Sequence, residues 1–387
     1  MTLAGTADLG ALERKQQRAL VALLSRTTAR ASGRAEISID VDDQLIGLLP
    51  HSARIHRVSG TVERGLDGVD GVPEGVGGAL ASAREASALR HLVTIGALEQ
   101  IRRSFEAADV SWVVMKGPVV ASLLYPGVGE RSYNDIDLLV DGSDFPAAMH
   151  ALEQLGYRHD IHNWVLAERM LAGAVGMASP LAHADLHWHL HYSRDDRRQF
   201  DIRPREMIGR ARTVEVSGIA VPTFDAVDTL ITLGFHAARS GGHRLIWLKD
   251  IERSLAVDRP DLDELVRRCR SYRCAAPVGL MMERARVVLG AEVPREIVQA
   301  MVPEVLLRAD RAVDRLWPWI RLHEGDTVAR WLSRSARESV PVTLGAIPAR
   351  AWRTAGRRLR PPPVNESDDE REKASFLAAV VAACEGS

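Results

Sequence analysis

One short stretch limits what this chain can become: Asp135-Ile136-Asp137, running straight into Leu138-Leu139-Val140. Successive side chains of a strand point to opposite faces, so Asp135 and Asp137 share one face and Ile136 takes the other. Two carboxylates side by side repel each other unless a cation or a proton sits between them. The pair therefore points to a divalent metal. Upstream, Trp112 to Met115 is apolar and β-prone, and Lys116-Gly117 ends it. Pro118 suits the first turn of a helix, where its missing N–H costs nothing. Residues 111–142 thus read as strand, turn, small helix, loop and carboxylate-bearing strand.

The rest of the chain bounds the class. Its 387 residues are enough for two domains or more. Hydrophobic content of 46% and charged content of 26% are those of a globular protein. A net charge of -1 argues against nucleic-acid binding by overall charge, leaving only a local basic patch open. The three cysteines have neither metal-ligand spacing nor a plausible disulfide framework, which fits a reducing cytoplasm. The N-terminus lacks the basic start and apolar core of a signal peptide. The apolar run Phe376 to Cys384 is too short for a membrane span.

Periodicity places the remaining elements. Helices are expected over Leu9 to Arg30, over Asp42 to Val58 with a stop at Ser59-Gly60, and over Glu85 to Asp109. The last carries Ala86, Leu89, Leu92, Ile95, Leu98, Ile101 and Phe105 as one apolar face. Ile37 to Val41 reads as a brief extended piece, and the glycines between Gly65 and Gly78 as a loop. Phe145 to Leu155 reads as a helix stopped by Gly156. Tyr157 to Leu166 is ambiguous. Ala184 to Tyr192 alternates strictly, with Asp185, His187, His189 and His191 on one face. Thr213 to Pro222 is hairpin-like around Ser217-Gly218. From Phe224 to about His323 the pattern is helical, with a Trp-rich piece at Trp317 to Leu322. Between Arg330 and Arg360 lie eight arginines and one acid, Glu338, which reads as a solvated arm. A short helix is expected over Glu372 to Cys384. The expected organisation is an N-terminal helical segment with a Gly-rich loop over 1–84, a core over 85–222, a helical domain over 223–325, and an arm and tail over 326–387.

Four motifs stand in order: Lys116-Gly117 with Tyr125-Pro126; Arg131 with Asp135-Ile136-Asp137-Leu138-Leu139-Val140; Asp185-Leu186-His187-Trp188; and His236 with Arg244-Leu245-Ile246-Trp247-Leu248-Lys249-Asp250. Together they resemble the uncharacterised nucleotidyltransferases, a branch of the polymerase-β-like nucleotidyltransferase superfamily. The likeness spans roughly Glu85 to Leu255. It departs from the wider superfamily where Lys116-Gly117-Pro118 replaces the usual Gly-Ser after the first strand. The resemblance implies an α+β fold: a small mixed sheet with helices, flanked by helical segments on both sides.

It also implies transfer of a nucleoside monophosphate from an NTP, ATP among them, to a small molecule, peptide or protein side chain. Mg²⁺ or Mn²⁺ would sit on Asp135, Asp137 and Asp185, which are then the catalytic residues. Lys116, Gly117, Arg131, His236, Lys249 and Asp250 would bind nucleotide, with Arg131 suited to phosphate by its fork geometry. Two other readings stay open. One is a nucleotide- or partner-binding protein of this fold without turnover. The other is a zinc hydrolase built on His187 and His189. The expected partners are an NTP and an acceptor, with no membrane span; the Arg330–Arg360 arm leaves nucleic acid open.

Overall fold

The computed structural model describes residues 12–34, 43–316, 328–337, 339–346, 348 and 369–385. Ile37 to Val41, Trp317 to Leu322 and, within the Arg330–Arg360 arm, 338, 347 and 349–360 lie outside them.

The chain opens with α1 (Arg14–Arg30), α2 (Asp43–Gly47), α3 (Leu49–Ile55), α4 (Ser59–Leu66) and the long α5 (Glu74–Ala107). Then come β1 (Trp112–Val114), α6 (Pro118–Leu124), β2 (Asp135–Val140) and α7 (Phe145–Gln154). They are followed by β3 (Arg158–His159), α8 (Trp164–Met170), β4 (Ala174–Ala178), β5 (His183–His187), α9 (Arg194–Arg197) and α10 (Pro204–Gly209). The hairpin β6 (Arg212–Val216) and β7 (Ile219–Thr223) leads into the helical half. That half holds α11 (Ala226–Ser240), α12 (Leu245–Arg253), α13 (Leu262–Ser271), α14 (Ala275–Leu289), α15 (Arg295–Met301), α16 (Glu304–Leu316) and α17 (Val328–Ser335). The closing helix is α18 (Glu370–Glu385).

The seven strands form one mixed sheet in the order β3-β4-β5-β2-β1-β7-β6. β2 is central, antiparallel to β1 and parallel to β5. Alternation along β2 divides its side chains. Ile136, Leu138 and Val140 enter a core with Phe105 of α5, Phe145 of α7, Trp164 of α8 and Phe376 of α18. Leu139, with Val113 and Met115, joins the larger core of the helical half. Asp135 and Asp137 belong to this second face, at the end that the helices leave open.

Several expectations change in detail, each for a packing reason. Ser59-Gly60 starts a helix instead of ending one. Here Gly60 lets α4 press on the 127–130 loop, since a Cβ would lie 2.5 Å from the Gly129 carbonyl oxygen. The Gly-rich loop is shorter than expected, because Pro73 caps α5 and Gly75, Gly77 and Gly78 are helical. The apolar face of α5 is also narrower: Leu98, Ile101 and Phe105 are buried, but Leu89 and Leu92 are 65% and 62% exposed. β4 falls where no element was assigned, while α16 falls within the stretch read as helical.

The C-terminal residues return to the core. Phe376 of α18 is fully buried, its ring centroid 5.5 Å from that of Trp164 and 6.2 Å from that of Phe145. Arg337, expected in a solvated arm, is buried; its guanidinium lies 4.4 Å from the Phe200 ring centroid and bonds Gln199. No helix among the described residues is long and apolar enough to cross a membrane.

Candidate active site

Parallel pairing of β2 with β5 sets Asp137 opposite Asp185 and Leu139 opposite His187. Residues at even spacing share a face, so Asp137, Asp185 and His187 converge. One donor atom from each lies within 4.8 Å of the others, and among the described residues only these three form such a group. Asp135 pairs one step away with His183; it stays outside the group and lines the adjoining pocket. Of the expected ligands, the structure brings Asp137 and Asp185 together with His187 and sets Asp135 beside them.

Charge is crowded here. Burial pushes the Asp135 and Asp185 carboxyls above the ordinary carboxylate range, and the neighbouring Asp137 charge adds to it. Burial pushes Asp137 up as well, but Lys116 and His187 outweigh it and hold that carboxyl below its usual range. Lys116 Nζ is 2.8 Å from Asp137 Oδ1, while His187 Nε2 stands 3.6 Å from the same oxygen. Asp137 Oδ2 and His187 Nε2 are buried without a hydrogen-bond partner. Buried polar atoms are normally paired, and an orphaned carboxylate oxygen is costly. Two carboxylates, an imidazole and an unsatisfied lone pair fit a divalent cation.

Gly117 forms the turn that brings Lys116 there. Its φ is +72°, and a Cβ would sit 2.6 Å from the Asp135 carbonyl oxygen, so only glycine fits. Lys116, Gly117, Asp135 and His236 all line a pocket of about 210 Å³. Burial first, and then the Lys116 ammonium, lowers the His236 pKa to about 3, so its imidazole stays neutral. Its Nδ1 is 3.5 Å from Lys116 Nζ.

Of the other residues expected to bind nucleotide, Arg131 and Asp250 line the same pocket and Lys249 does not. The Arg131 fork is engaged within the protein: its Nε and Nη2 donate to Asp250 Oδ1 and Oδ2 at 2.7 and 2.8 Å. Asp250 is correspondingly saturated, and also accepts from the Tyr125 hydroxyl at 2.7 Å. The pair ties the loop before β2 to α12. Lys249 points away from the pocket, into the junction with α1. There it bonds the Thr28 carbonyl at 3.0 Å, Ser32 Oγ at 2.7 Å and Glu252 at 3.0 Å. α12 turns neighbouring side chains apart, so adjacency in sequence did not mean a shared site.

Two further cations join Arg131 there. Arg57 and Arg244 line the same pocket, with Trp247 beside them and the Arg244 guanidinium 5.7 Å from its ring centroid. Arg57 carries no local motif; its left-handed backbone, φ 57°, follows α3 and is invisible to spacing arguments. The zinc-strand reading loses its geometry. β5 ends at His187, and His189 Nδ1 accepts from the His191 N–H at 3.0 Å, so the later imidazoles leave the strand face.

Carboxylates delivered by neighbouring strands, a glycine turn beside them and a helical half across the cleft are how nucleotidyltransferase domains are assembled. The chain belongs to that class. More narrowly, it is a member of the uncharacterised nucleotidyltransferase family, whose model matches residues 43–290. No curated protein matches the chain.

Proposed function

We propose that the protein transfers a nucleoside monophosphate from an NTP to an acceptor hydroxyl, with a divalent metal. The carrying observation is the register of Asp137 with Asp185, which leaves Asp137 Oδ2 buried and unpaired beside His187. Asp137 and Asp185 would hold the metal, with His187 or Asp135 completing the set. Bound there, Mg²⁺ or Mn²⁺ supplies charge neutralisation and activation of the attacking oxygen. Lys116, Arg57 and Arg244 give the pocket the positive charge that a triphosphate needs, and Trp247 offers a flat face to a base. Gly117 lets the chain approach a phosphate closely. Asp185, kept basic by burial and by Asp137, takes the acceptor proton.

The test follows pyrophosphate release from NTPs with candidate acceptors in Asp137→Asn and Asp185→Asn chains. Release that persists in both variants sinks the assignment. One feature favours a nucleotide-binding protein without turnover: Lys116 already supplies a cation to Asp137 at 2.8 Å. Tight Mg·ATP binding with no release against any acceptor would select that reading.

A further inference from the structure

Next to the cation-lined pocket lies a second cavity of about 260 Å³. Lys116, His236 and Ser240 line both and form the wall between them. The second cavity holds none of Arg57, Arg131 or Arg244, and it takes in His187 of the carboxylate cluster. The first pocket is lined by Asp135 and Asp137 and the second by His187 of the same cluster, so the two approach that cluster from either side of one wall, with different chemistry.

Unpaired polar atoms concentrate in this second cavity. Both ring nitrogens of His191, Thr232 Oγ1, Arg239 Nη1 and His187 Nε2 are buried without a hydrogen-bond partner, and all four residues line it. His191 is 1% exposed and Thr232 4%. Each such orphan is costly, and native proteins keep few of them. The His191 ring is held between Phe200, stacked at 5.1 Å, and Phe235, edge-on at 4.9 Å. Burial keeps it neutral, so it presents one N–H donor and one lone pair. The Arg239 charge is already balanced, because Nη2 meets Asp196 at 2.6 Å. What Arg239 has left to give into the cavity is the N–H donors of Nη1.

We propose that this cavity is the acceptor subsite and takes a small, uncharged, hydroxyl-rich molecule of sugar or cyclitol size. The inference rests on the nucleotidyl-transfer reading above. A hydroxyl both donates and accepts, which is what a neutral imidazole, a threonine hydroxyl and spare N–H donors together require. A charged ligand would find Arg239 and Asp196 already paired. The volume falls below the usual range for drug-sized ligands, which suits a compact molecule. His187 at the inner end puts one ligand hydroxyl beside Asp137 and Asp185. That oxygen bonds to the α-phosphorus, and the bond from phosphorus to pyrophosphate breaks, the electron pair leaving with pyrophosphate. The hydroxyl proton passes to an Asp185 oxygen.

The experiment reads binding, not turnover. Saturation-transfer NMR on the full chain without nucleotide tests myo-inositol, D-glucose and sorbitol against gluconate and a serine-containing peptide. At least one neutral polyol should bind more tightly than gluconate or the peptide. Thr232→Val should weaken it about tenfold, the worth of one neutral hydrogen bond, with Mg·ATP affinity unchanged by calorimetry. Arg239→Lys, which keeps a cation for Asp196 but removes the spare N–H donors, should give a similar loss and serves if Thr232→Val fails to fold. Failure of all three polyols, preference for gluconate or the peptide, or an equal loss of polyol and ATP binding overturns the proposal. A chain that binds polyol but no ATP sinks nucleotidyl transfer and with it the acceptor role; a chain that binds ATP but no polyol overturns the subsite and leaves the nucleotide reading standing.

Discussion

Two buried charge clusters lie within the same cleft, and they are built to opposite specifications. In one, Asp250 receives two N–H bonds from Arg131 and a hydroxyl bond from Tyr125, at 2.7–2.8 Å. In the other, Asp137 shares one oxygen with Lys116 and leaves the second unpaired, while Asp135 and Asp185 stay hard to ionise. The first cluster is closed: every strong acceptor has its donor, and its role is to fix the loop before β2 against α12. The second is left open at a cost in stability, and such local deficits belong where a ligand is meant to complete them. The same residue types therefore separate into brace and candidate site by how completely they are satisfied.

The contrast can be broken most decisively at Asp137. Asp137→Asn should cut pyrophosphate release by roughly 10³-fold or more with only a modest loss of stability, since Lys116 loses its ion-pair partner but stays partly exposed. A coupled pyrophosphate assay with parallel thermal melts checks both halves. Asp250→Ala should do the reverse. It strands the buried Arg131 guanidinium, and denaturant unfolding should show a loss of about 3–5 kcal/mol. If Asp250→Ala left stability intact, the division into brace and site would fall.

Acid should expose a smaller effect, away from the metal cluster. His56 is fully buried beside Arg244 and His243, and burial lowers its pKa to about 3. The folded state therefore disfavours its proton and the unfolded chain does not, so its contribution is intact above pH 6.5 and declines as the pH falls toward 3. From pH 7.5 to 5 the loss comes to about 2 kcal/mol, and His56→Gln should flatten that part of the profile in urea titrations. The smallest shift expected is at Lys116. In Lys116→Met no ammonium competes for Asp137, so added Mn²⁺ should raise the melting temperature by a few degrees more than in the unaltered chain, about 1 kcal/mol of extra binding. An equal shift in both chains would remove Lys116 from the cation's place.

Alternation made the carboxylate face readable. Period-two spacing put Asp135 with Asp137 and Asp185 with His187 on one face, the Ser217-Gly218 turn gave the β6–β7 hairpin, and helical periodicity gave most helices of the second half. Spacing does not tell which charged residue will be paired with which. Arg131 and Asp250 are 119 positions apart and each fits a phosphate site or an ion pair equally well until the fold joins them. Lys249 failed for a related reason: one residue along a helix rotates a side chain by about 100°, enough to turn it from the cleft to α1. Arg57 and Arg239 entered the cavities through tertiary packing and left no local trace. The Gly-rich stretch misled because helix propensity yields to packing against α4 and the 127–130 loop.

The pairing of β2 with β5 also acts as a safeguard during folding. If the two strands slid past each other by a single position, Asp185 would enter the apolar layer and Leu186 would face the cleft. No half-working protein lies one step away: the same slip that dismantles the reaction centre would bury a bare carboxylate, and the chain would not settle there. Correct chemistry and correct folding are checked by the same alignment.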